Sequence, residues 1–306
     1  MKISVISTVL NEGGNIAHLL EALAGQTLPP DEIIIVDAGS KDETVPLLRK
    51  YSSILPLEVL VCPGASRAEG RNSAIKKARG EIIASIDAGC VPARDWLENL
   101  VAPFQKDPSV DVVAGYYEPI IENPFQEALA SLIIPSLNEI SPLDFLPSSR
   151  SVAFKKAVWE NVGGYPEWMK SAEDTVFDLS LKKAGARFVF QPKAIVKWRL
   201  RNSLKSVFKQ FYEYSFWDAK AGVFFPHYNK IWLYLLGVFL LLLSFLFRPF
   251  LYLFLLCFSL YIFRALLRAR RRRNLSWKAY LWFIPVLFAY DLGNIIGYTI
   301  GKLKRR

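Results

Sequence analysis

Four short apolar runs, each stopping at a polar or acidic residue, fill the first ninety positions and leave few folds open to them. Lys2-Ile-Ser-Val-Ile-Ser7-Thr8 leads into Asn11, Glu12 and the stripe Ile16, Leu19, Leu20, Leu23, whose spacing is that of one helix face. Glu32-Ile-Ile-Ile-Val-Asp37 runs into the turn Ala38-Gly39-Ser40 and a helix opened by Asp42 and Glu43, acids that suit a helix N-terminus. Leu57-Glu-Val-Leu-Val-Cys62 comes third. A helix over 67–79 then returns the chain to the run 81–90, read as a strand that ends at Asp87 and is followed by Ala88-Gly89-Cys90. Alternation of buried strands with helices predicts an α/β fold with right-handed crossovers and a mostly parallel sheet. Asp37 and Asp87 are expected along one carboxyl edge of that sheet, where open α/β folds take ligands.

A chain of 306 residues accommodates one sizeable domain and something smaller. Its formal charge of +10 would suit nucleic acid if it lay on the strand-rich half, but it does not. From Val223 onward there are 13 Lys and Arg against one acid, Asp291, leaving 25 cations and 27 acids before it. Positive charge concentrated in the most apolar part of a chain marks membrane segments with basic flanks, so a lipid bilayer is the expected partner and no nucleic acid is. Cys62, Cys90 and Cys257 are unpaired in spacing, and His18 and His227 are the only histidines, so neither a disulfide framework nor a zinc cluster is expected. The opening strand lacks the basic and apolar regions of a signal peptide.

Residues 231–263 are apolar except for Arg248-Pro249. One helix of that length would span about 50 Å against a hydrocarbon core of about 30 Å. A turn at Arg248-Pro249 resolves the excess, giving a hairpin of spans 231–247 and 250–267 that returns the cluster Arg268 to Arg273 to the starting side. The stretch 279–300 contains Pro285, Asp291 and Asn294, has cations beyond both ends, and carries Gly293, Gly297 and Gly301 at four-residue spacing, which permits close helix packing. A re-entrant or interfacial element is favoured over a third span. The expected domains are 1–222 and 223–306, on the cytoplasmic side and in the membrane respectively.

Six segments resemble the family 2 glycosyltransferases of the GT-A fold in their membrane-attached form: Val5-Ile-Ser-Thr-Val-Leu-Asn-Glu12, Val36-Asp-Ala-Gly-Ser-Lys-Asp-Glu-Thr44, Arg67-Ala-Glu-Gly-Arg-Asn72, Ile86-Asp-Ala-Gly-Cys90, Gly163-Gly-Tyr-Pro-Glu167 and Ala172-Glu-Asp-Thr175. The resemblance covers about residues 1–222. It implies a Rossmann-like GT-A domain that binds a nucleoside-diphosphate sugar, with Ser7, Thr8, Glu12, Asp37 and Arg71 around the nucleotide. It implies that Asp87, the first acid of an Asp-x-Asp element, contacts ribose and, through Mg²⁺ or Mn²⁺, the diphosphate. Gly89 stands where the second acid would be, so a cation here would rest on one carboxylate, two phosphates and waters. Of the pair Glu173 and Asp174, the resemblance makes Asp174 the base of an inverting transfer. Plainer readings stand beside these: turn or helix caps for Asp37 and Asp87, an exposed helix cation for Arg71, and acids favouring a helix N-terminus for Glu173 and Asp174.

Between residues 179 and 212 lie nine cations and no acid. Arg201, Lys205 and Lys209 repeat along one helix face beside Phe208, Phe211, Tyr212 and Tyr214, as in a helix at a membrane surface or a merely solvated basic face. Gln210-Phe-Tyr-Glu-Tyr214 replaces the Gln-x-x-Arg-Trp of processive members, which favours a single sugar addition to a lipid-linked or membrane acceptor. The proline-bearing segment 122–149 reads as a mobile insertion. A polyprenyl-phosphate acceptor, a sugar nucleotidyltransferase and a non-catalytic membrane scaffold are the alternatives.

Overall fold

The computed structural model describes residues 1–142 and 144–305. The first three runs form β1 (Ile3–Val9), β2 (Glu32–Asp37) and β3 (Leu57–Val61), and the fourth forms β4 (Ile82–Ser85). They are linked by α1 (Ile16–Ala24), α2 (Thr44–Tyr51) and α3 (Arg67–Lys77). These strands pair in parallel in the order β3-β2-β1-β4. Along β2, Ile33 and Ile35 enter the core on one face while Ile34 and Val36 enter the core on the other, as in a strand covered on both sides. The α1 stripe Ile16, Leu19, Leu20 and Leu23 is buried throughout. Ser66 and Glu69 cap α3 reciprocally, a signal already legible in the spacing Ser-x-x-Glu.

The run 81–90 is not one strand. β4 ends at Ser85, the chain turns with the Cys90 N–H donating to the Asp87 carbonyl at 3.0 Å, and β5 (Cys90–Pro92) leaves to pair elsewhere. After it come α4 (Trp96–Lys106), β6 (Val112–Ile120), α5 (Pro124–Ile133), β7 (Val152–Lys155), α6 (Lys156–Asn161), α7 (Glu173–Lys183) and β8 (Phe188–Arg199). The completed sheet runs β3-β2-β1-β4-β7-β6-β8-β5. β7 is antiparallel to β4 and β6, and β5 to β8, so the mostly parallel sheet is mixed.

Two compact units result: residues 1–120 with 137–199, and residues 121–136 with those from Leu200 onward. The first holds the sheet. The second is helical, with α5, α8 (Leu204–Ala221), α9 (Lys230–Leu243), α10 (Pro249–Arg272) and α11 (Trp277–Leu303). Its make-up differs from the expected boundary after residue 222 for two physical reasons. Segment 122–149 contains α5, whose N-terminus is capped by Asn123, and α5 holds α11: Phe125 meets Trp282 edge-on at 5.5 Å, and Glu127 accepts from the Ser276 N–H and hydroxyl at 2.6 Å each. The basic helix α8 belongs with α11 through the glycine seam. A Cβ on Gly293, Gly297 or Gly301 would lie 2.7, 2.3 and 2.3 Å from the carbonyl oxygens of Phe208, Tyr212 and Phe216, so only glycine lets the two backbones touch.

Pro249 is the first residue of α10, where its missing N–H costs nothing, and the chain turns over 244–248 between the end of α9 at Leu243 and Pro249. The segment 279–300 lies within one unbroken helix, about 40 Å long at 1.5 Å per residue, and not in a re-entrant turn. Residues Pro226–Leu243, Pro249–Arg272 and Trp277–Leu303 are each long and apolar enough to cross a membrane.

Gly297→Ala should therefore lower stability by about 1–3 kcal/mol through overpacking. Thermal unfolding of the full chain in detergent checks this against Gly237→Ala, whose added methyl would meet only Phe254 at an ordinary 3.6 Å.

Candidate active site

Because β1, β2 and β4 are parallel, Val9, Asp37 and the segment after Ser85 emerge at the same sheet edge. Asp37 is fully buried there. Its Oδ2 accepts from the Gly39 and Ser40 N–H groups at 2.9 Å each, the turn-cap role anticipated as the plainer reading. That role leaves Oδ1 buried with no partner among the described residues, and Ser7 Oγ is in the same condition. Two unsatisfied polar atoms at about 1–3 kcal/mol each suit an edge built for a hydrogen-bonding ligand.

The loops after β1 and β2 are laced together. Asn11 N–H donates to Ser40 Oγ at 2.8 Å, Lys41 N–H to Asn11 Oδ1 at 2.9 Å, and Glu12 N–H to Thr44 Oγ1 at 2.8 Å. The Glu12 carboxylate accepts from Asn15 Nδ2 at 3.1 Å, so it serves the turn into α1. Thr8 turns its methyl to Gly70, where a Cβ would lie 2.6 Å away, and so sets the approach of α3 to β1.

Arg71 is not an exposed helix cation. It is 3% exposed, with Nη2 2.8 Å from Asp87 Oδ1 and Nη1 paired to Glu173 Oε1, and Glu173 is itself 2% exposed. One guanidinium thereby joins α3, the turn after β4 and the first residue of α7. Its face lies 5.4 Å from the Tyr165 ring, and Tyr165 is held by Asn72, which accepts from its N–H at 2.9 Å and donates to its carbonyl at 2.8 Å. Glu173 Oε2 has no partner among the described residues.

Asp174 follows, partly buried, with Oδ1 accepting from the Thr175 N–H at 3.0 Å. Burial and then the neighbouring Glu173 push its carboxyl above the ordinary range, against Arg71 and Arg150. Asp178, one turn on, is buried. Burial and then Asp174 push its carboxyl well up, and its Oδ2 has no partner among the described residues. Asp87 behaves oppositely: burial pushes it up, but Arg71, Arg150 and Arg67 together hold it below the ordinary range.

Arg150 was not singled out from the sequence. The antiparallel pairing of β4 with β7, Ser85 opposite Val152, delivers it to Asp87, with Nε 4.0 Å from Oδ2. Its guanidinium lies 3.9 Å over the Trp198 ring and 5.5 Å from that of Tyr117, and its Nη1 donates to Ser148 Oγ at 2.7 Å. The only local signal was an Arg flanked by serines before a strand.

These donors do not fit a protein-built cation site. Both Asp87 oxygens face arginines, Gly89 supplies no side chain, and no group of three His, Cys, Asp or Glu among the described residues could hold a metal ion. Space is not the reason, since a Cβ on Gly89 would meet nothing within 4 Å. The site instead offers arginines beside one carboxylate, an arrangement suited to an anion, and a raised carboxyl at a helix start, suited to accepting a proton.

Residues 4–141 match the family described as Glycosyl transferase family 2. The O-antigen chain rhamnosyltransferase RfbN of Salmonella typhimurium is 27% identical over 225 residues, 70% of this chain and 71% of that protein. A dolichyl N-acetyl-α-D-glucosaminyl phosphate 3-β-D-2,3-diacetamido-2,3-dideoxy-β-D-glucuronosyltransferase of Methanococcus voltae is 24% identical over 307 residues, 94% of this chain and 95% of that one. The chain spans only 29 to 64% of the length of six further curated relatives. The fold is that of the mannosyltransferase PcManGT from Pyrobaculum calidifontis, solved with GDP-Man and Mn²⁺: TM-score 0.61, 19% identity, covering 99% of this chain and 87% of that one.

Arg71→Met should cost about 3–5 kcal/mol, because it leaves the buried Glu173 carboxylate without its counter-charge. Chemical unfolding checks this, and Glu173→Gln added to Arg71→Met should recover part of the loss.

Proposed function

The chain belongs to glycosyl transferase family 2, and on that premise we propose that it transfers a single sugar, with inversion, from a nucleoside-diphosphate sugar to a hydroxyl of a lipid-linked or membrane acceptor in cell-envelope glycan or glycolipid assembly. The main support is the pair of unsatisfied atoms at the sheet edge, Asp37 Oδ1 and Ser7 Oγ, which a nucleoside's N–H and hydroxyl groups would satisfy. The names of RfbN and the Methanococcus voltae relative, an O-antigen chain enzyme and one with a dolichyl-linked acceptor, support the class of acceptor.

Asp174 is assigned as the base and Glu173 as its neighbour in position, since Glu173 is committed to Arg71. As the acceptor oxygen bonds to the anomeric carbon, its proton passes to Asp174, and the bond from that carbon to the diphosphate oxygen breaks with its electron pair going to the nucleotide. A pKa raised toward the working pH makes Asp174 a better proton acceptor than an exposed aspartate. Mn²⁺ accompanies the nucleotide sugar in PcManGT, but the donors around Asp87 do not fit such an ion, and the transfer is assigned to the chain's own residues.

For the membrane region we infer a hairpin of α9 and α10, with the catalytic unit in the cytoplasm and α11 lying largely at the same surface. The parallel seam fastens the 293–301 half of α11 along α8, whose Lys205 and Lys209 are exposed beside Arg201 and would be costly in hydrocarbon. Asp291, buried, pairs at 2.6 Å with Lys230, the first residue of α9, which supports the same depth for that point of α11.

Asp37→Ala should abolish nucleoside-diphosphate binding in calorimetry, whereas Asp174→Asn should keep binding and lose turnover by about 10²-fold or more. Full turnover in Asp174→Asn would favour a lipid-phosphate acceptor, which needs no base. Because Asp174 works deprotonated and its pKa is raised, wild-type kcat/KM should fall on acidification at a higher pH than an ordinary carboxylate would give. Cysteines placed at Leu303 and Lys304 should react with an impermeant maleimide from the cytoplasmic side only.

A further inference from the structure

We propose that Arg150, stacked on Trp198 beside Asp87, binds the donor diphosphate and neutralises the leaving group in place of a divalent cation. The proposal rests on the nucleotide-sugar reading of the site and specifies how that site manages phosphate charge.

Three observations meet at Asp87. The carboxylate is flanked by Arg71 on one oxygen, at 2.8 Å, and by Arg150 on the other, at 4.0 Å, and Arg67 adds a third positive influence. A divalent cation entering there would face two guanidiniums across one carboxylate, a repulsive arrangement, whereas a diphosphate would meet the fork of Arg150. Of these arginines, Arg71 is spoken for. It is buried against two acids and holds the backbone elements together, so its charge is already matched by Glu173 and Asp87.

Arg150 differs in kind. It is 14% exposed, its face lies on Trp198 at 3.9 Å, and Ser148 holds one terminal nitrogen at 2.7 Å. Stacking fixes the plane of the fork, and a fixed planar fork matches phosphate oxygens with little further loss of side-chain freedom. Gly89 completes the argument. The position has room for an acid and carries none, so the turn offers a cation one carboxylate and that one already faces two arginines.

In the transfer, the bond between the anomeric carbon and the β-phosphate oxygen breaks as the acceptor oxygen bonds to that carbon. The electron pair stays on the diphosphate, whose charge rises by one, and the acceptor proton goes to Asp174. Arg150 stands where that added negative charge collects, so its contribution grows from bound donor to transition state.

The test uses the purified full chain. A thermal-shift panel of UDP, GDP, ADP, CDP and dTDP identifies the nucleotide, and calorimetry then measures that diphosphate and its parent nucleoside in EDTA and in Mn²⁺. The proposal expects wild-type affinity for the diphosphate to change less than about threefold between EDTA and Mn²⁺. It expects Arg150→Ala to weaken the diphosphate by about tenfold or more with the nucleoside nearly unaffected, and Arg150→Lys, which keeps the charge without the fork, to fall between. Turnover in EDTA should drop further than affinity in Arg150→Ala. A tenfold loss of wild-type diphosphate affinity in EDTA overturns the proposal without any variant, and so does unchanged diphosphate affinity in a folded Arg150→Ala. Absence of any shift across the panel sinks the nucleotide reading itself, which separates that failure from failure of the arginine assignment.

Discussion

The buried guanidinium of Arg71 is the interaction on which the catalytic unit depends. It reaches from α3 to the turn after β4 and to the head of α7, elements whose acids lie 16 and 102 residues away in sequence. Burying one cation with two carboxylates costs desolvation that only close pairing offsets, so the three elements have little freedom to separate. The same pairing sorts the acids. Glu173 and Asp87 are matched by Arg71, while Asp174, next in sequence to one of them, keeps a raised pKa and an oxygen turned to the Thr175 N–H. One ion-pair hub thus separates carboxylates that hold structure from the carboxylate able to take a proton.

Around this hub, glycine and asparagine act as spacers and clamps. Gly163 and Gly164 both adopt positive φ, and the turn they make lets Asn72 grip Tyr165 and Glu167 from α3. Tyr165 in turn underlies Arg71. In the helical unit glycine does something simpler: three of them, one per turn, let the backbone of α11 approach the carbonyls of Phe208, Tyr212 and Phe216 on α8. That seam makes a basic amphipathic helix and an apolar helix into one body, which neither could be inferred to join from its own hydropathy.

Local pattern carried much of this in the sequence. The β1 to β4 alternation and the α1 stripe depend on neighbours within a few residues, and each is found where expected. The strand expected to end at Asp87 stops at Ser85, and β5 is not legible beside it because a three-residue strand depends on its partner, here β8, about a hundred residues on. The helix α5 inside segment 122–149 is not evident from its prolines, because Pro124 stands at the helix's first turn, where proline is favoured.

What the sequence determined by itself is the class of fold, the family and the acids at the strand ends, because those rest on periodicity and on motifs within single segments. What only tertiary structure decided is the electrostatic role of each charge. Arg71 and Arg150 are indistinguishable as letters, but one is buried between the carboxylates of Glu173 and Asp87 and the other is laid on an indole beside Asp87. Charge interactions depend on distance and burial, and both are set by chain pairings that span tens of residues.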